Sequence, residues 1–295
     1  MRVVAIDLGS NSLTIIKYDC SSKEVIANFL KTVRTADGLV DSGVISDDAV
    51  SRVILALNEA KDMLDFSDAK LKAVTTQALR VAKNATEVID KIYKKTGVKF
   101  KVISPKEEGE LTLKAVKNRL ELLGINSNFV LVDIGGGSTE LSYYIDGKIY
   151  SKSFELGIVT TANSCNSLKE IEDFVAKKSK EIKDFAKEFN NKELIFSATA
   201  GTPTTLAAMK LGLTYETYDA NKVTGTKLSL KEIDFYLNRL LNMKKKERQI
   251  AVGVGRDDLI VAGVIIFKEI YKILEKNESI VIDDGLSMGV AISEC

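Results

Sequence analysis

Apolar and polar positions follow the same order in the two halves of the chain. Each half opens with an apolar run, a tight turn of glycine and hydroxyl residues, and two further β-favouring segments. This order predicts one three-strand meander over residues 4–31 and a second over 130–154. After each meander, helical spacing alternates with short apolar runs, a pattern typical of α/β domains. The chain is therefore predicted to contain two α/β lobes.

The two meanders are copies of one another. Segment 4–15 recurs as 130–141 without a gap, so that Asp7 corresponds to Asp133 at a distance of 126 residues. A period this long indicates a duplicated domain, since solenoid repeats run to about 20–50 residues. The polar, turn-rich stretch 124–128 is the predicted boundary. This boundary predicts a first lobe of residues 1–124 and a second of residues 125–295. The prediction allows the last helix of the chain to pack on the first lobe.

Helices and strands after the meanders are predicted from spacing and capping residues. Ser167 and Ser229 are each followed by Glu three positions later, which is a helix-capping pattern. The predicted helices cover about 47–64, 106–123, 206–211 and 258–274, and the predicted strands 71–75, 98–103, 194–197 and 279–283. No apolar stretch reaches the roughly 18 residues that suggest a membrane-spanning helix. We expect a cytoplasmic protein without a signal peptide.

Composition excludes several chemistries. The chain has no histidine, so Ser-His-Asp and Cys-His catalysis and His-ligated metals are impossible. A formal net charge of +1 provides no bulk field for an anionic partner, so neither DNA nor a membrane is expected to bind. Cys20, Cys165 and Cys295 are widely spaced and form no Cys-x-x-Cys pair, which argues against disulfides and zinc and for a reducing compartment.

Both predicted turns follow a strand that ends in Asp. Backbone N–H groups of such a turn can bind phosphate oxygens, while the carboxylate holds a hard cation. An ordinary hairpin turn is the alternative, but two copies at matching positions favour phosphate binding. Asp7 and Asp133 are the predicted ligands of Mg²⁺, with Mn²⁺ as the alternative. The predicted phosphate ligands are Ser10, Asn11 and Ser12 in the first turn and Gly135, Gly136, Gly137, Ser138 and Thr139 in the second.

A third segment of small and hydroxyl residues covers 197–205. It follows an apolar run and precedes a predicted helix, a position that suits an anion or a sugar-phosphate. Gly201 and Thr202 are therefore predicted substrate ligands, and a capped strand-to-helix connection is the alternative. The chain contains no Walker A sequence, which excludes a P-loop nucleotide-binding protein.

Five motifs in order resemble the exopolyphosphatase and guanosine pentaphosphate phosphohydrolase (Ppx/GppA) family. They are Asp7–Ser12, Thr76–Asn84, Val102–Glu108, Asp133–Glu140 and Thr199–Thr205. The resemblance covers nearly the whole chain and implies the duplicated, two-lobe actin-like (ribonuclease H-like) ATPase fold, with a central cleft between the lobes. It also implies a short form without the C-terminal extension of longer members, from which we expect low processivity on polyphosphate.

The resemblance assigns roles to three further residues. Glu108 matches the family's catalytic base, whereas Glu107 lies three residues after Ser104 and is explained as its capping-box partner. Arg80 is a cation near a predicted helix start, where the helix dipole disfavours it unless an anion is close. We therefore expect Arg80 to neutralise phosphate charge. Glu140 is expected to assist Glu108.

The C-terminal motifs match the family less closely. Segment 256–263 resembles the family's Arg-x-Asp helix start, whereas 284–290 lacks the Arg-Glu that usually follows Gly-Leu. Asp283 and Asp284 are predicted to cap the turn between these segments, with a contact to the site as the alternative.

The predicted function is a magnesium-dependent phosphohydrolase. It would release terminal orthophosphate from inorganic polyphosphate, or from guanosine pentaphosphate to give the tetraphosphate, and a homodimer is expected. One alternative is a small-molecule kinase of the same superfamily, and another is a non-catalytic alarmone- or nucleotide-binding module. The pair of Glu107 and Glu108 together with Arg80 favours hydrolysis over both. The sequence does not rank the two substrates, because both present a terminal phosphoanhydride to the same groups.

Overall fold

The computed structural model describes residues 1–189 and 193–295. Its strands are β1 (Arg2–Leu8), β2 (Ser12–Asp19), β3 (Glu24–Thr32), β4 (Lys70–Thr75), β5 (Phe100–Val102), β6 (Phe129–Ile134), β7 (Thr139–Ile145), β8 (Lys148–Phe154), β9 (Ile195–Thr199), β10 (Lys227–Ser229) and β11 (Glu278–Val281). Its helices are α1 (Leu39–Ser42), α2 (Asp47–Leu64), α3 (Gln77–Val81), α4 (Ala85–Thr96), α5 (Pro105–Leu122), α6 (Ile158–Ser164), α7 (Leu168–Lys178), α8 (Lys180–Lys187), α9 (Gly201–Lys210), α10 (Ala220–Val223), α11 (Leu230–Asn242), α12 (Lys245–Val252), α13 (Ile260–Ile273) and α14 (Leu286–Glu294). They form two compact units.

Unit 1 consists of residues 1–115 and 286–295. Its sheet has the order β3-β2-β1-β4-β5, in which the first three strands are antiparallel and β4 and β5 run parallel to β1. β1 is central and is buried at four consecutive positions, as a strand covered on both faces should be. Helix α14 packs against β1 and β2, and its Leu286 and Val290 share a core with Val3 and Ala5.

Unit 2 consists of residues 116–285. Its sheet has the order β10-β11-β9-β6-β7-β8. Strands β6, β7 and β8 are antiparallel, and β9 and β11 run parallel to β6. This arrangement repeats that of unit 1, and β1 and β6 end at Leu8 and Ile134, which keep the sequence offset of 126 residues. The predicted duplicated α/β fold is confirmed.

Two boundaries differ from the expectation. The division between the units falls inside α5, at residue 115, and not in the turn-rich stretch 124–128. The last helix packs on β1 and β2 and belongs to unit 1, which the predicted boundaries allowed. Helix α9 begins at Gly201, five residues before the predicted start, because the small residues of that segment fit within a helical turn. In the described ranges 1–189 and 193–295, no helix has the length and apolar content to cross a membrane.

Cys20 and Cys295 form a disulfide, with their Cα atoms 5.5 Å apart. The expectation that the cysteines stay unpaired is therefore wrong for these two, while Cys165 is free. Their spacing along the chain gives no sign of the pair. Cys20 follows β2 and Cys295 follows α14, and only the packing of α14 on β2 brings them together.

Loss of this disulfide should lower stability. Cys20→Ser should reduce the free energy of unfolding by about 2–4 kcal/mol, because a bond across long sequence separation restricts the unfolded chain. The separation here is 275 residues. Denaturant unfolding without reductant measures the effect, and Cys165→Ser is the control because the free thiol closes no loop. Equal stability of the wild type and Cys20→Ser would show that the bond contributes nothing.

Candidate functional site

The turn between β1 and β2 presents its N–H groups and not its carbonyl groups. The carbonyl of Asn11 accepts hydrogen bonds from the N–H groups of Val33 (2.9 Å) and Arg34 (2.8 Å), and that of Ser10 accepts one from Ala36 (2.9 Å). Within the described residues, the N–H groups of Ser10 and Asn11 donate to no acceptor. Successive unbonded N–H groups in a tight turn form an anion-binding concavity.

Asp7 lies at the end of β1, directly before this turn. Its Oδ1 is buried and has no hydrogen-bond partner among the described residues, and the same holds for Oδ1 of Asn11. Burial raises the pKa of Asp7 to about 7 from its ordinary value of 3.8. Two buried oxygens without donors suit a hard cation, which prefers oxygen ligands. In the described ranges no three carboxylates cluster, so a cation here would complete its shell with water and phosphate oxygens.

The turn between β6 and β7 repeats this design in unit 2. Its carbonyls are occupied by the start of α6, because Ile158 N–H donates to Gly135 O (3.0 Å) and Val159 N–H to Gly136 O (2.8 Å). The N–H groups of Gly136 and Gly137 find no acceptor in the described part of the chain. The two predicted phosphate turns therefore share one arrangement, in which a following segment binds the carbonyls and leaves the N–H groups for a ligand.

Gly157 allows α6 to approach the second turn this closely. A Cβ atom added at Gly157 would lie 2.4 Å from Gly136 O and 2.4 Å from the carbonyl carbon of Gly137. Both are backbone atoms of the turn itself. Only glycine therefore fits at this position while the turn keeps its shape.

A row of polar side chains crosses the sheet of unit 2 at the level of this turn. Thr199, Asp133, Glu140 and Ser153 are successive register partners on β9, β6, β7 and β8. Glu140 is buried, and its Oε1 accepts hydrogen bonds from the hydroxyls of Ser138 (2.7 Å) and Ser153 (2.6 Å). The Ser138 side chain is therefore engaged with Glu140. Its neighbour Thr139 is fully buried and donates to the carbonyl of Leu156.

In unit 1, Arg80 and Glu108 form a buried ion pair. Arg80 Nη1 donates to Glu108 Oε2 at 2.7 Å and to the carbonyl of Ile103 at 2.9 Å, and Nη2 donates to Gln77 Oε1 at 3.2 Å. Arg80 lies in the last turn of α3, where the helix dipole does not disfavour a cation, so the expectation that it stands at a helix start is wrong. Its acidic partner is Glu108. Gln77 and Ile103 fix the guanidinium from two further sides.

Glu107 and Glu108 have different surroundings, as their expected roles require. The N–H of Glu107 donates to Ser104 Oγ (3.1 Å), so Ser104 caps α5. The Glu107 carboxylate does not complete the expected capping box, because it pairs with Lys101 at 2.7 Å on the surface. Glu108, in contrast, is only 8% exposed and is therefore largely shielded from solvent.

The segment before α9 is strained, and the side chain of Arg256 packs beside it. Ala200 has φ +71° and ψ −176°, a conformation almost confined to glycine that costs about 1–3 kcal/mol and is typical of ligand sites. A Cβ added at Gly201 would lie 2.1 Å from Nη2 of Arg256, so this guanidinium packs directly on the first residue of α9. Thr202 is buried in the same turn. A helix N-terminus beside a guanidinium favours an anion.

Of the groups around Arg256, sequence reasoning assigned a role to Asp283, as a cap, and none to Tyr215 and Tyr218. Burial lowers the pKa of Arg256, and the charges of Tyr215, Tyr218 and Asp283 oppose this shift. Tyr218 is hydrogen-bonded to Asp283 and Thr204. Asp284, in contrast, pairs with Arg119 at 2.5 Å and 3.1 Å. The two acidic neighbours are thus not simple caps. The one signal in the sequence is the charged stretch 256–258 directly before an apolar helix.

Asp283 should make stability depend on pH. Burial raises its pKa to about 6 from 3.8, and the charge of Asp284 adds to the rise, while the hydrogen bond from Tyr218 and the charges of Arg256 and Arg119 oppose it. A raised pKa means that the folded protein favours the protonated form of Asp283. The stability that this form contributes at low pH is therefore lost as pH rises from about 4 to about 6. The free energy of unfolding of Asp283→Asn, measured in urea, should rise by about 1–2 kcal/mol relative to that of the wild type between about pH 4 and pH 6. A difference that stays constant with pH would contradict the shift.

A family model covers most of the chain. The model of the Ppx/GppA phosphatase family matches residues 14–295. The chain belongs to the Ppx/GppA phosphatase family. The resemblance inferred from the five sequence motifs is therefore confirmed.

This Ppx/GppA protein is similar to two curated proteins over nearly its whole length. It is 27% identical to exopolyphosphatase 2 of Mycobacterium tuberculosis, and the match covers 99% of this chain and 98% of that protein. It is 25% identical to the bifunctional 3-dehydroquinate synthase/phosphatase of Fusobacterium nucleatum, covering 98% of this chain and 46% of that protein. The crystal structure of the Aquifex aeolicus Ppx/GppA family member shares 30% identity and a TM-score of 0.78, covering 100% of this chain and 97% of that one.

Proposed function

We propose that this protein releases the terminal orthophosphate of inorganic polyphosphate or of guanosine pentaphosphate, with Mg²⁺ as cofactor. The observation that carries the proposal is the pair of matching turns, each with unbonded N–H groups after a strand whose last residue but one is Asp. Such turns bind tetrahedral anions and do not depend on the rest of the ligand. Similarity to an exopolyphosphatase supports a polyphosphate substrate. A homodimer remains part of the proposal.

Asp7 and Asp133 are the residues that we propose to bind Mg²⁺. The unpartnered oxygens of Asp7 and Asn11 fit such an ion, and Asp133 occupies the equivalent strand end in unit 2. When bound, Mg²⁺ neutralises charge on phosphate oxygens, which phosphoryl transfer requires. Magnesium commonly uses one or two protein carboxylates and takes its other ligands from water and substrate.

Glu108 is proposed as the base that activates water. An ion pair with a guanidinium keeps a carboxylate ionised, which is the form that accepts a proton. Glu108 takes a proton from water as the water oxygen bonds to the terminal phosphorus. The bond from that phosphorus to the bridging oxygen breaks, and the shortened chain leaves with the electron pair. Arg80 holds Glu108 in place through its contacts with Gln77 and Ile103. We propose that it also neutralises charge on the attacked phosphoryl group.

Asp7→Asn tests the metal role. It should raise the Mg²⁺ concentration for half-maximal phosphate release by about 10-fold or more, because a charged oxygen ligand becomes neutral. Mn²⁺ binding to the protein without substrate, followed by electron paramagnetic resonance, should weaken to a similar extent. Asp48→Asn, at an exposed position in the first turn of α2, is the control. Unchanged activity of the wild type in excess chelator would exclude the metal role.

A side-by-side assay ranks the substrates. Orthophosphate release should be measured from polyphosphate and from guanosine pentaphosphate at matched concentrations of terminal phosphate. The proposal expects turnover of at least one of them, with no added phosphoryl acceptor. Phosphate transfer that requires an acceptor would indicate a kinase, and binding without turnover would indicate a nucleotide-binding module.

A further inference from the structure

Ser153 touches Glu140 from the neighbouring strand, at a position outside the five family motifs. The two residues are register partners on β8 and β7, and their side chains are joined by a hydrogen bond of 2.6 Å. On the other side, Glu140 is the register partner of Asp133. Ser153 therefore ends the row of four polar residues on β9, β6, β7 and β8 that lies beside the turn between β6 and β7.

We propose that Ser153 is a positioning residue that fixes the Glu140 carboxylate for phosphoryl transfer. This inference rests on the proposed function. Ser138 Oγ and Ser153 Oγ both donate to Oε1 of Glu140, one from the turn and one from β8. Two hydroxyl groups that donate to the same oxygen from different directions restrict the orientation of a buried carboxylate. Ser153 thus anchors Glu140 to the sheet, while Ser138 connects it to the turn.

The first copy of the meander shows that the turn does not need this pair in order to fold. There, the residues that correspond by register are Thr14 on β2 and Leu30 on β3, opposite Asp7. A carboxylate and its hydroxyl anchor are therefore absent, yet the turn keeps its unbonded N–H groups. Burying a carboxylate is costly unless donors satisfy it. The second meander buries the Glu140 carboxylate although the first meander folds without an equivalent group. This difference points to a role of Glu140 and Ser153 in the reaction.

The same strand supplies a matched control. Ser151 lies two positions before Ser153 on the same face of β8, is half-buried like it, and forms a hydrogen bond of 2.7 Å with Ser142 Oγ. Ser151→Ala removes one hydroxyl pair from the same two strands without touching Glu140. Any effect of weakening the strand pairing itself should appear equally in both alanine variants.

The kinetic test compares Ser153→Ala, Ser153→Thr and Ser151→Ala in orthophosphate release. Ser153→Ala should lower kcat by about 10-fold or more, because a hydrogen bond to a charged group is lost, with KM changed by less than about 2-fold. Ser153→Thr keeps the hydroxyl and should restore most of kcat. Ser151→Ala should match the wild type. Equal kcat for the two alanine variants, or a loss in Ser153→Ala that appears only in KM, would overturn the role of Ser153.

A second measurement separates this inference from the proposed function. A double-mutant cycle between Ser153→Ala and Glu140→Gln, read as unfolding temperature, should show coupling, because the two residues share a hydrogen bond. Additive effects would overturn the inference whatever the activity. If the cycle shows coupling but the wild-type protein releases no orthophosphate from either substrate, the hydrogen bond stands. The proposed function, and with it the kinetic role of Ser153, would then be contradicted.

Discussion

Glu108→Gln should lower kcat for orthophosphate release by about 10²–10⁴-fold, the usual effect of removing a general base. Glutamine keeps the length and the hydrogen-bonding oxygen of the side chain, so Arg80 retains an acceptor. The amide cannot take a proton from water. Substrate binding should therefore stay near that of the wild type, and the loss should appear in kcat. Single-turnover phosphate release measures the chemical step, and binding of unhydrolysed substrate to the variant measures the substrate affinity.

Glu107→Gln is the matched control for this substitution. Its carboxylate lies at the surface, where it pairs with Lys101, and exposed pairs of this kind contribute about 0–1 kcal/mol to stability. The cap of α5 comes from Ser104 and the backbone of residue 107, so it survives the change. We expect kcat within about 2-fold of the wild type. Equal kinetic losses in the two variants would show that Glu108 has no special part in the reaction.

Gly157→Ala should reduce kcat/KM by about 10²-fold or more, although residue 157 lies outside the predicted site. The added Cβ would overlap Gly136 O and the Gly137 carbonyl carbon, each at 2.4 Å, and neither is a side-chain atom that can turn away. Either α6 or the phosphate turn must shift. Either shift would break the hydrogen bonds from Ile158 and Val159 to the turn's carbonyl groups, and with them the arrangement that we propose to bind phosphate.

Gly285→Ala controls for the general cost of replacing glycine. No heavy atom lies within 4 Å of a Cβ added there, and its backbone is not in the left-handed region. Its activity and unfolding temperature should equal those of the wild type. If Gly157→Ala were as active as Gly285→Ala, the contact between α6 and the turn would have no part in phosphate binding.

The repeated meanders and their turns were predictable because both depend on local pattern. A continuous apolar run defines each of β1 and β6, and the glycine and hydroxyl residues that follow favour a tight turn. The order of strands followed by helices then gives an α/β fold. Ser167 and Ser229 cap helices as expected, since a cap needs only the first turn of its own helix.

Contacts between distant segments were beyond the reach of the sequence. The pairing of Cys20 with Cys295 requires α14 to pack in unit 1, and the packing of Arg256 on Gly201 requires the segment between α12 and α13 to lie against the start of α9. Ser153 shows the same limit on a smaller scale. Ser151 and Ser153 look alike in the sequence, and only the register of β7 and β8 places one of them opposite Glu140.

Isotope labelling of the products tests the proposed reaction most directly. The protein should hydrolyse polyphosphate or guanosine pentaphosphate in water enriched in ¹⁸O, under conditions that allow one turnover. If water attacks the terminal phosphorus, each released orthophosphate carries one ¹⁸O atom and the shortened product carries none. Mass spectrometry of both products distinguishes the outcomes. Label in the shortened product would place the attack on the neighbouring phosphorus, and absence of released orthophosphate would contradict a phosphohydrolase altogether.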